Sequence, residues 1–244
     1  MFSRKAILAG FATISMLVLS ASAAPIFDLS IAGPTTQTVT FSDANGAYYD
    51  DWMIFYASAS PGSLTIYNQK KDATNLAMPG MSGVSSRYQI SGNAYLWPMN
   101  YTADDAQNGT AGSSVRRGAK IDGSGTVILT FTIMGIGQSG TVDLFAGTNQ
   151  DNYRIIADIG GVTASLDRSV STSDSVFRNR VVYSGVTDPD ATMTLTFQTT
   201  GTGYKDVKLE GIALSNVVPV PEPATLAVLG LGGAAALLRR RRRA

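Results

Sequence analysis

Two groups of aromatic residues could bind sugar rings, because the apolar face of a sugar stacks on an exposed Trp or Tyr ring. The members are Tyr48, Tyr49 and Trp52 in the first group and Tyr95, Trp97 and Tyr101 in the second. Aromatic side chains more often fill the core of a β protein, and this alternative stays open. The residues selected as candidate ligand-stacking positions are Trp52, Trp97 and Tyr95.

Acidic residues in turn-like segments offer oxygen ligands of the kind that calcium binds. The segments are Asp43-x-Asn45-x-Ala47, Asp50-Asp51, Asp104-Asp105, Asp122-x-Ser124 and Asp188-x-Asp190. None of them continues into the EF-hand loop with its closing glutamate, and Asp also favours turns through its own side-chain hydrogen bonds. We therefore assign no metal ligand and no cofactor, and a structural calcium ion remains an open alternative.

The residue types that carry most enzyme mechanisms are missing. The chain contains no Cys and no His, which excludes a thiolate zinc site, a Cys nucleophile and the Ser-His-Asp arrangement. Its acidic pairs could still act as in glycoside hydrolysis, but the only glutamates are Glu210 and Glu222. We assign no catalytic residue and expect a protein that is not an enzyme, with an Asp-dependent glycoside hydrolase as the less favoured alternative.

The middle of the chain alternates apolar and polar residues with a period of two, which is typical of strands that bury one face. The clearest apolar positions are Val127, Leu129, Phe131 and Ile133, then Phe177, Val181 and Tyr183, then Met193, Leu195 and Phe197. Threonine occupies many intervening positions and suits the outer face of a pleated sheet. Further strands are predicted at residues 37–41, 52–56, 63–67, 87–90, 141–146, 153–158, 162–166 and 204–214.

This pattern predicts an all-β fold over residues 24–216, an antiparallel β-sandwich of jelly-roll type. In the last strand the apolar positions change from odd to even numbers at Gly211, which predicts a β-bulge. Residues 70–107 are rich in Gly, Ser and Asn and interrupt the alternation. Apart from the strand at residues 87–90, we expect loops there, and loops are where sandwich proteins place their binding sites.

The N-terminal residues 1–23 have the layout of a secretory signal peptide. Arg4 and Lys5 precede an apolar run over residues 6–19, and small residues follow up to Ala23. We predict cleavage after Ala23 and export of the remaining chain across the inner membrane. An uncleaved anchor or a first core strand are the alternatives, although the apolar run is short for a membrane span.

The C-terminal residues 217–244 contain three successive elements. Pro221, Glu222 and Pro223 belong to a proline-rich spacer, which cannot form a helix interior or a central strand. Residues 224–238 are apolar and predict a short transmembrane helix. The last element is the cluster Arg239, Arg240, Arg241, Arg242 and Arg243. These arginines should remain cytoplasmic under the positive-inside rule, which leaves the middle domain on the far side of the membrane.

The spacer, the apolar segment and the arginine cluster together resemble the PEP-CTERM sorting signal of Gram-negative bacteria. The resemblance implies recognition by an exosortase, a membrane transpeptidase-like enzyme, and processing near the Pro-Glu-Pro motif. It also implies delivery from a membrane-anchored precursor to the cell surface. The implied partners are the exosortase, the export machinery and, transiently, the membrane. A plain C-terminal anchor with a proline-rich stalk is the alternative.

The charges are distributed unequally along the chain. Seven of the 19 basic residues and one of the 18 acidic residues lie in the two terminal signals, so residues 24–216 carry a net charge of −5. A nucleic-acid partner would need a basic surface, and none is predicted. The sequence therefore favours a non-enzymatic surface or extracellular-matrix protein that meets extracellular polysaccharide. A carbohydrate-binding module, with or without calcium, is the alternative.

Overall fold

A computed structural model describes residues 24–32, 38–41, 49–58, 62–71, 74–91, 96–102, 105–108, 116–171, 176–188, 190–202 and 206–215. The predicted signal peptide, transmembrane helix and sorting signal lie outside these residues. The described residues contain strands and no helix, and hence no helix that could cross a membrane. Nearly all of the strands belong to one large antiparallel sheet, so the prediction of an all-β fold is confirmed.

Thirteen strands occur in the described part of the chain. They are β1 (Ile26–Ala32), β2 (Val39–Thr40), β3 (Asp51–Ala57), β4 (Leu64–Gln69), β5 (Gly80–Ser91), β6 (Met99–Asn100), β7 (Arg117–Ile133), β8 (Gly140–Thr148), β9 (Tyr153–Ile159), β10 (Val162–Arg168), β11 (Phe177–Ser184), β12 (Met193–Thr199) and β13 (Asp206–Ser215). The alternation that predicted them is visible in their burial. In β12, for example, Met193, Leu195 and Phe197 are buried and the threonines between them are half-buried.

β13 lies at the centre of the sheet. Eight strands pair in the order β1-β11-β8-β13-β7-β12-β9-β10, while β3, β4 and β5 branch from β13 and β7. The first half of β13 lies between β8 and β7, and its second half lies between β8 and β3. The register with β8 shifts between Leu209 and Gly211, which confirms the predicted bulge. A Cβ on Gly211 would lie 2.9 Å from the Met53 carbonyl oxygen, so glycine allows β3 to approach this closely.

The long strands β5 and β7 bend and divide the sheet into two layers. Residues 119–122 of β7 pair with β13, whereas residues 128–133 pair with β12. The β5–β7 register shifts on both sides of Val84, next to Gly83, which has a φ of +70°. A Cβ on Gly123 would lie 2.2 Å from Cγ2 of Val127. Glycines at this corner allow one pair of strands to pass from one layer to the other.

β5 corrects the prediction of loops across residues 70–107. Twelve residues, Gly80–Ser91, form a continuous strand where the sequence predicted only residues 87–90. The bulge near Val84 changes which residues face inward, so the strand has no constant period of two. Its many Gly and Ser residues also have low β propensity, and pairing with β7 compensates for this.

The main hydrophobic core lies between the two layers, as in a β-sandwich. Side chains from β8, β11 and β13 meet side chains from β7, β9 and β12. Inside this core, the Tyr153 hydroxyl of β9 donates a hydrogen bond of 2.9 Å to Oδ1 of Asn179 in β11. The Asn179 amide in turn donates to the carbonyl oxygens of Leu144 and Ala146 in β8. The two ends of the strand order, β1 and β10, lie near each other, so the sheet nearly closes.

Three strands, β3, β8 and β13, bury their outer face as well. In β3, Met53 points into the main core, whereas Trp52 points into a second core on the outer side. We call the cover of this outer face the cap; it consists of residues 38–41, Tyr49 and residues 96–102. β2 and β6 form a short parallel pair within the cap. The cap is required because an apolar sheet face exposed to water would be unstable.

Gly83→Ala tests the corner. We expect a loss of at least about 2 kcal/mol in the free energy of unfolding, because the left-handed backbone disfavours a side chain and the new Cβ would clash with the Thr126 carbonyl. Gly125→Ala is the control, since nothing lies within 4 Å of its Cβ position, and it should change stability by less than about 1 kcal/mol. Thermal unfolding of both variants measures the difference, and equal effects would contradict this account of the corner.

Candidate functional site

A cleft of about 440 Å³ opens where the cap meets the outer face of β11. We call it the arginine cleft; its lining residues are Thr38, Val39, Thr40, Tyr49, Trp97, Arg178, Arg180 and Ser215. The lining combines two guanidinium groups, an indole and several hydroxyls. Such a combination of one aromatic surface with a few polar groups is typical of small-ligand sites.

The alternation of β11 places both arginines in the cleft. Phe177, Asn179 and Val181 are buried in the sheet, so Arg178 and Arg180 project from the opposite face and are half-buried. The register pairs Arg178 with Phe145 of β8 and Arg180 with Asp143. Cross-strand neighbours of this kind lie within side-chain reach of each other.

Arg180 is committed to a buried carboxylate. Its Nε donates to Oδ1 of Asp143 at 2.8 Å and its Nη2 donates to Oδ2 at 2.6 Å, while Asp143 is fully buried. The Tyr49 hydroxyl donates a third hydrogen bond to Oδ2 at 2.8 Å. Burial and the adjacent Asp143 carboxylate raise the pKa of Tyr49, so its hydroxyl keeps the proton that it donates. Asp143 therefore neutralises Arg180 and joins the cap to the sheet.

Trp97 forms the wall beside Arg178 and is held by three contacts. Its backbone N–H donates to Oε2 of Glu210 at 3.0 Å, and its indole N–H donates to the Val176 carbonyl at 3.2 Å. The ring packs edge-on against Phe145, with 5.7 Å between centroids. The Cζ atom of Arg178 lies over the indole, 5.6 Å from its centroid, within cation–π range. The indole thus orients the Arg178 guanidinium.

Glu210 is a fully buried acid beneath the cap. Only its Oε2 has a hydrogen-bond partner, the Trp97 N–H, and its Oε1 has none. Burial raises the pKa of Glu210 well above its ordinary value of 4.5, and the Trp97 N–H and Arg116 only partly oppose that effect. Protonation of Glu210 removes a buried negative charge from beneath the cap.

Two of the three predicted stacking residues, Trp52 and Trp97, lie in the second core, so their rings are not the exposed platforms that the sequence led us to expect. Trp52 is 0% exposed and stacks on Phe41 and Tyr101, with centroids 5.0 and 5.4 Å away. Trp97 is 3% exposed, so it offers a ligand little more than the margin that lines the cleft. Tyr95 lies outside the described residues. The apolar outer face of β3 and β8 explains the placement, since large aromatic rings bury the most surface there.

Two of the proposed calcium segments make other contacts. Asp51 is buried and accepts hydrogen bonds from the backbone N–H groups of Trp52 and Asn75. Asp188 accepts from the backbone N–H of Asp190 at 3.0 Å, which is an Asx turn. Across the described residues there is no group of three or more acidic side chains that could hold a metal ion.

A third segment, at Asp122, contains an internal cation. Nζ of Lys120 lies 3.1 Å from Asp122 and 3.4 Å from Asp206. The Lys120 ammonium therefore lies between the two carboxylates, at the position where a metal ion bound by both of them would lie. Burial raises the pKa of Asp206, and the charge of Lys120 opposes that rise.

The sequence did not identify the arginine cleft. In the sequence, Arg178 and Arg180 alternate with Phe177 and Val181, and this period of two predicts only an outer face in contact with water. Asp143 was part of a predicted apolar strand, where a single acid gave no sign of its partner. The Arg-x-Arg spacing opposite an acid in a buried strand is the signal that could have identified the cleft, and it requires the β8–β11 register.

Comparison with known proteins identifies a sorting motif at the C-terminus. The described fold belongs to an all-β antiparallel protein, and residues 219–243 match the family described as the PEP-CTERM protein-sorting motif. The chain is therefore a protein with a PEP-CTERM sorting motif, and the resemblance seen in its sequence is confirmed. No curated protein matches the chain.

Solved structures give only distant similarities. TmCBM61 in complex with beta-1,4-galactotriose is similar at TM-score 0.32 and 11% identity, over 54% of this chain and 88% of that one. Exo-beta-1,3-galactanase from Phanerochaete chrysosporium gives TM-score 0.30 and 16% identity, over 63% of this chain and 30% of the enzyme. A carbohydrate-binding module of the beta-sandwich superfamily gives TM-score 0.32 and 9% identity, over 81% and 98%. At these TM-scores the similarities define neither fold nor ligand.

Asp143→Asn tests the ion pair that joins the cap to the sheet. We expect a loss of about 3 kcal/mol in unfolding free energy, because Arg180 stays half-buried without its counter-charge. Asp167→Asn is the matched control, since Asp167 forms the same two-bond pair with Arg154 while both side chains are exposed, at 63% and 45%. Chemical denaturation should show little change for the control. Similar losses in both variants would contradict the structural role of Asp143.

Glu210→Gln tests the buried acid through the pH dependence of stability. Because the folded-state pKa of Glu210 is raised, its contribution to stability is fully present below about pH 4.5 and is lost as pH rises through the folded-state pKa. The variant should therefore be more stable than the natural protein at neutral pH, with a flatter profile of Tm against pH. No His titrates in this range. Asp167→Asn, which removes a carboxyl whose pKa Arg154 lowers, should not flatten the profile. Parallel profiles for Glu210→Gln and the natural protein would contradict the assignment.

Proposed function

We propose that the chain is the precursor of an exported cell-surface or extracellular-matrix protein. A secretory signal peptide, residues 1–23, starts export, and a β domain follows over residues 24–216. The C-terminal sorting segment, residues 217–244, anchors the precursor until an exosortase processes it. The observation that supports this most strongly is the PEP-CTERM motif at residues 219–243. The basic, apolar N-terminus gives the same orientation independently.

We further propose that the exported domain is not an enzyme. The chain has no His and no Cys, and its only glutamates are buried Glu210 and Glu222 of the sorting motif. A glycoside hydrolase would need two carboxyl groups facing a substrate cleft. Beside the arginine cleft, the Asp143 carboxylate is bonded to Arg180 and Tyr49. Elsewhere in the sheet, Asp122 and Asp206 both contact the ammonium of Lys120. These contacts favour a structural or binding role.

Carbohydrate binding is the second candidate, and the arginine cleft favours it. The domain would be a β-sandwich of jelly-roll type that presents the cleft to extracellular polysaccharide. Hydroxyl groups of Thr38, Thr40 and Ser215 line the cleft beside the two arginines. Such groups hydrogen-bond sugar hydroxyls and charged substituents directly, so binding through them needs no bridging calcium ion.

Glu222→Ala tests the sorting proposal. We expect the variant to remain in the inner membrane with its C-terminus uncut, because the sorting enzyme reads the Pro-Glu-Pro motif. Cell fractionation and mass spectrometry of the mature C-terminus measure the outcome. Asp190→Ala, which removes an exposed acid of the β domain, should be processed and delivered normally. Normal surface delivery and processing of Glu222→Ala would overturn the proposal.

A further inference from the structure

The arginine cleft contains one more positive charge than its described partners neutralise. Arg180 forms both of its short bonds with Asp143. Arg178 forms no ion pair with any carboxylate of the described residues, and its contact there is with the Trp97 ring. Among the lining residues and Asp143 alone, positive charges exceed negative charges by one, and the excess charge is at Arg178.

We propose that the arginine cleft binds the carboxylate of an acidic sugar, a uronate residue of an extracellular polysaccharide, and that Arg178 recognises this carboxylate. The proposal rests on the proposed function only in the expectation that polysaccharide is the polymer the exported domain meets. It adds the chemical class of the ligand and the residue that selects it.

The orientation of Arg178 suits a carboxylate. A cation–π contact uses no N–H hydrogen bond to a specific acceptor, so the N–H groups of a guanidinium held in this way can still donate to a ligand. Those groups match the two oxygens of a carboxylate and form two parallel charge-assisted hydrogen bonds. Trp97 restricts the guanidinium through the cation–π contact, and Trp97 is itself held by Glu210 and Val176. Arg178 therefore loses less conformational entropy on binding than a free surface arginine would.

The rest of the lining suits the sugar ring. The volume of about 440 Å³ lies within the range of sites for small ligands. Thr38, Thr40 and Ser215 supply hydroxyls that both donate and accept hydrogen bonds, as the hydroxyls of a sugar require. The Tyr49 hydroxyl already donates its hydrogen bond to Asp143, so we expect the other lining groups to bind the ligand while Tyr49 forms part of the wall.

The charge of the whole domain favours a single local contact over a general attraction to anions. Residues 24–216 carry a net charge of −5, which repels polyanions at long range. Nucleic acid binding draws on many phosphate contacts, whereas this cleft has only one guanidinium without an ion pair to a described carboxylate. Recognition must therefore come from the cleft itself, and it should weaken as salt rises.

The probe is a galacturonate trimer, and its full methyl ester is the comparison, since the ester removes every charge and adds only one methyl group to each sugar. We measure equilibrium binding to the full chain purified in detergent by calorimetry. The acid should bind about tenfold more tightly than the ester, the usual difference for a charge-assisted hydrogen-bond pair. Equal binding of acid and ester, or no binding of either, would overturn the proposal. Displacement of the trimer by inorganic phosphate at the same concentration would show a general anion site and would also overturn it.

Three variants assign the effect to the cleft. Arg178→Gln should lose about tenfold in affinity for the acid and leave the ester unchanged. Arg154→Gln removes the same charge from the exposed pair with Asp167, neither of which lines the cleft, and should bind as the natural protein does. Thr40→Val should weaken acid and ester alike, because it removes a hydroxyl from the lining. An unaffected Arg178→Gln, or an equal loss in Arg154→Gln, would contradict the assignment.

The result is independent of the sorting experiment. Binding is measured on purified protein, so a negative binding result would leave the sorting proposal intact, and the C-terminus would still be processed normally in cells. Conversely, a failure of sorting would appear in fractionation while the purified chain still discriminated acid from ester. Thermal unfolding of Arg178→Gln accompanies the titration. If this variant is unfolded, Arg178→Lys, which keeps the charge but loses the planar fork, should bind the acid several-fold more weakly.

Discussion

Burial of both faces of β13 and its neighbours β3 and β8 is the constraint from which the rest of the structure follows. All ten residues of β13 are buried, and they contribute to the main core on one side and to the second core on the other. Trp52 and Phe145 make the outer face strongly apolar, so water cannot cover it. The cap covers it instead, and the arginine cleft is the place where this cover ends.

Charged groups beneath the cap follow the usual rule that buried charges need partners. Asp143 obtains three hydrogen bonds from Arg180 and Tyr49, and these bonds also fix the position of the cap. Glu210 receives one from the Trp97 backbone, and burial raises its pKa well above the ordinary value while that bond opposes the rise only in part. Asp143 thus holds Arg180 and Tyr49 in place and Glu210 holds Trp97, while Arg178 is the residue proposed to bind the ligand. The contacts of Asp143 and Glu210 that hold the cap on the sheet therefore also hold the walls of the proposed binding site.

Local signals in the sequence predicted a large part of this structure. The period-two pattern identified β7, β11 and β12, and the change of parity at Gly211 identified the bulge. The sorting motif is a contiguous signal and was equally readable. β5 was largely missed because its register shifts at the corner interrupt the period. The cleft was missed because Arg180 and Asp143 lie 37 residues apart, and only the pairing of β11 with β8 brings them together.

The cap covers the outer face of the sheet and thereby forms one side of the cleft. Trp52 and Trp97, the two tryptophans of the chain, both lie under this cover, so their fluorescence reports on it directly. The measurement is iodide quenching of tryptophan fluorescence in the full chain, before and after denaturation. The structure predicts strong protection of the native chain and free quenching of the unfolded one. Equal quenching in both states would show that the outer face is open and that the cleft does not exist.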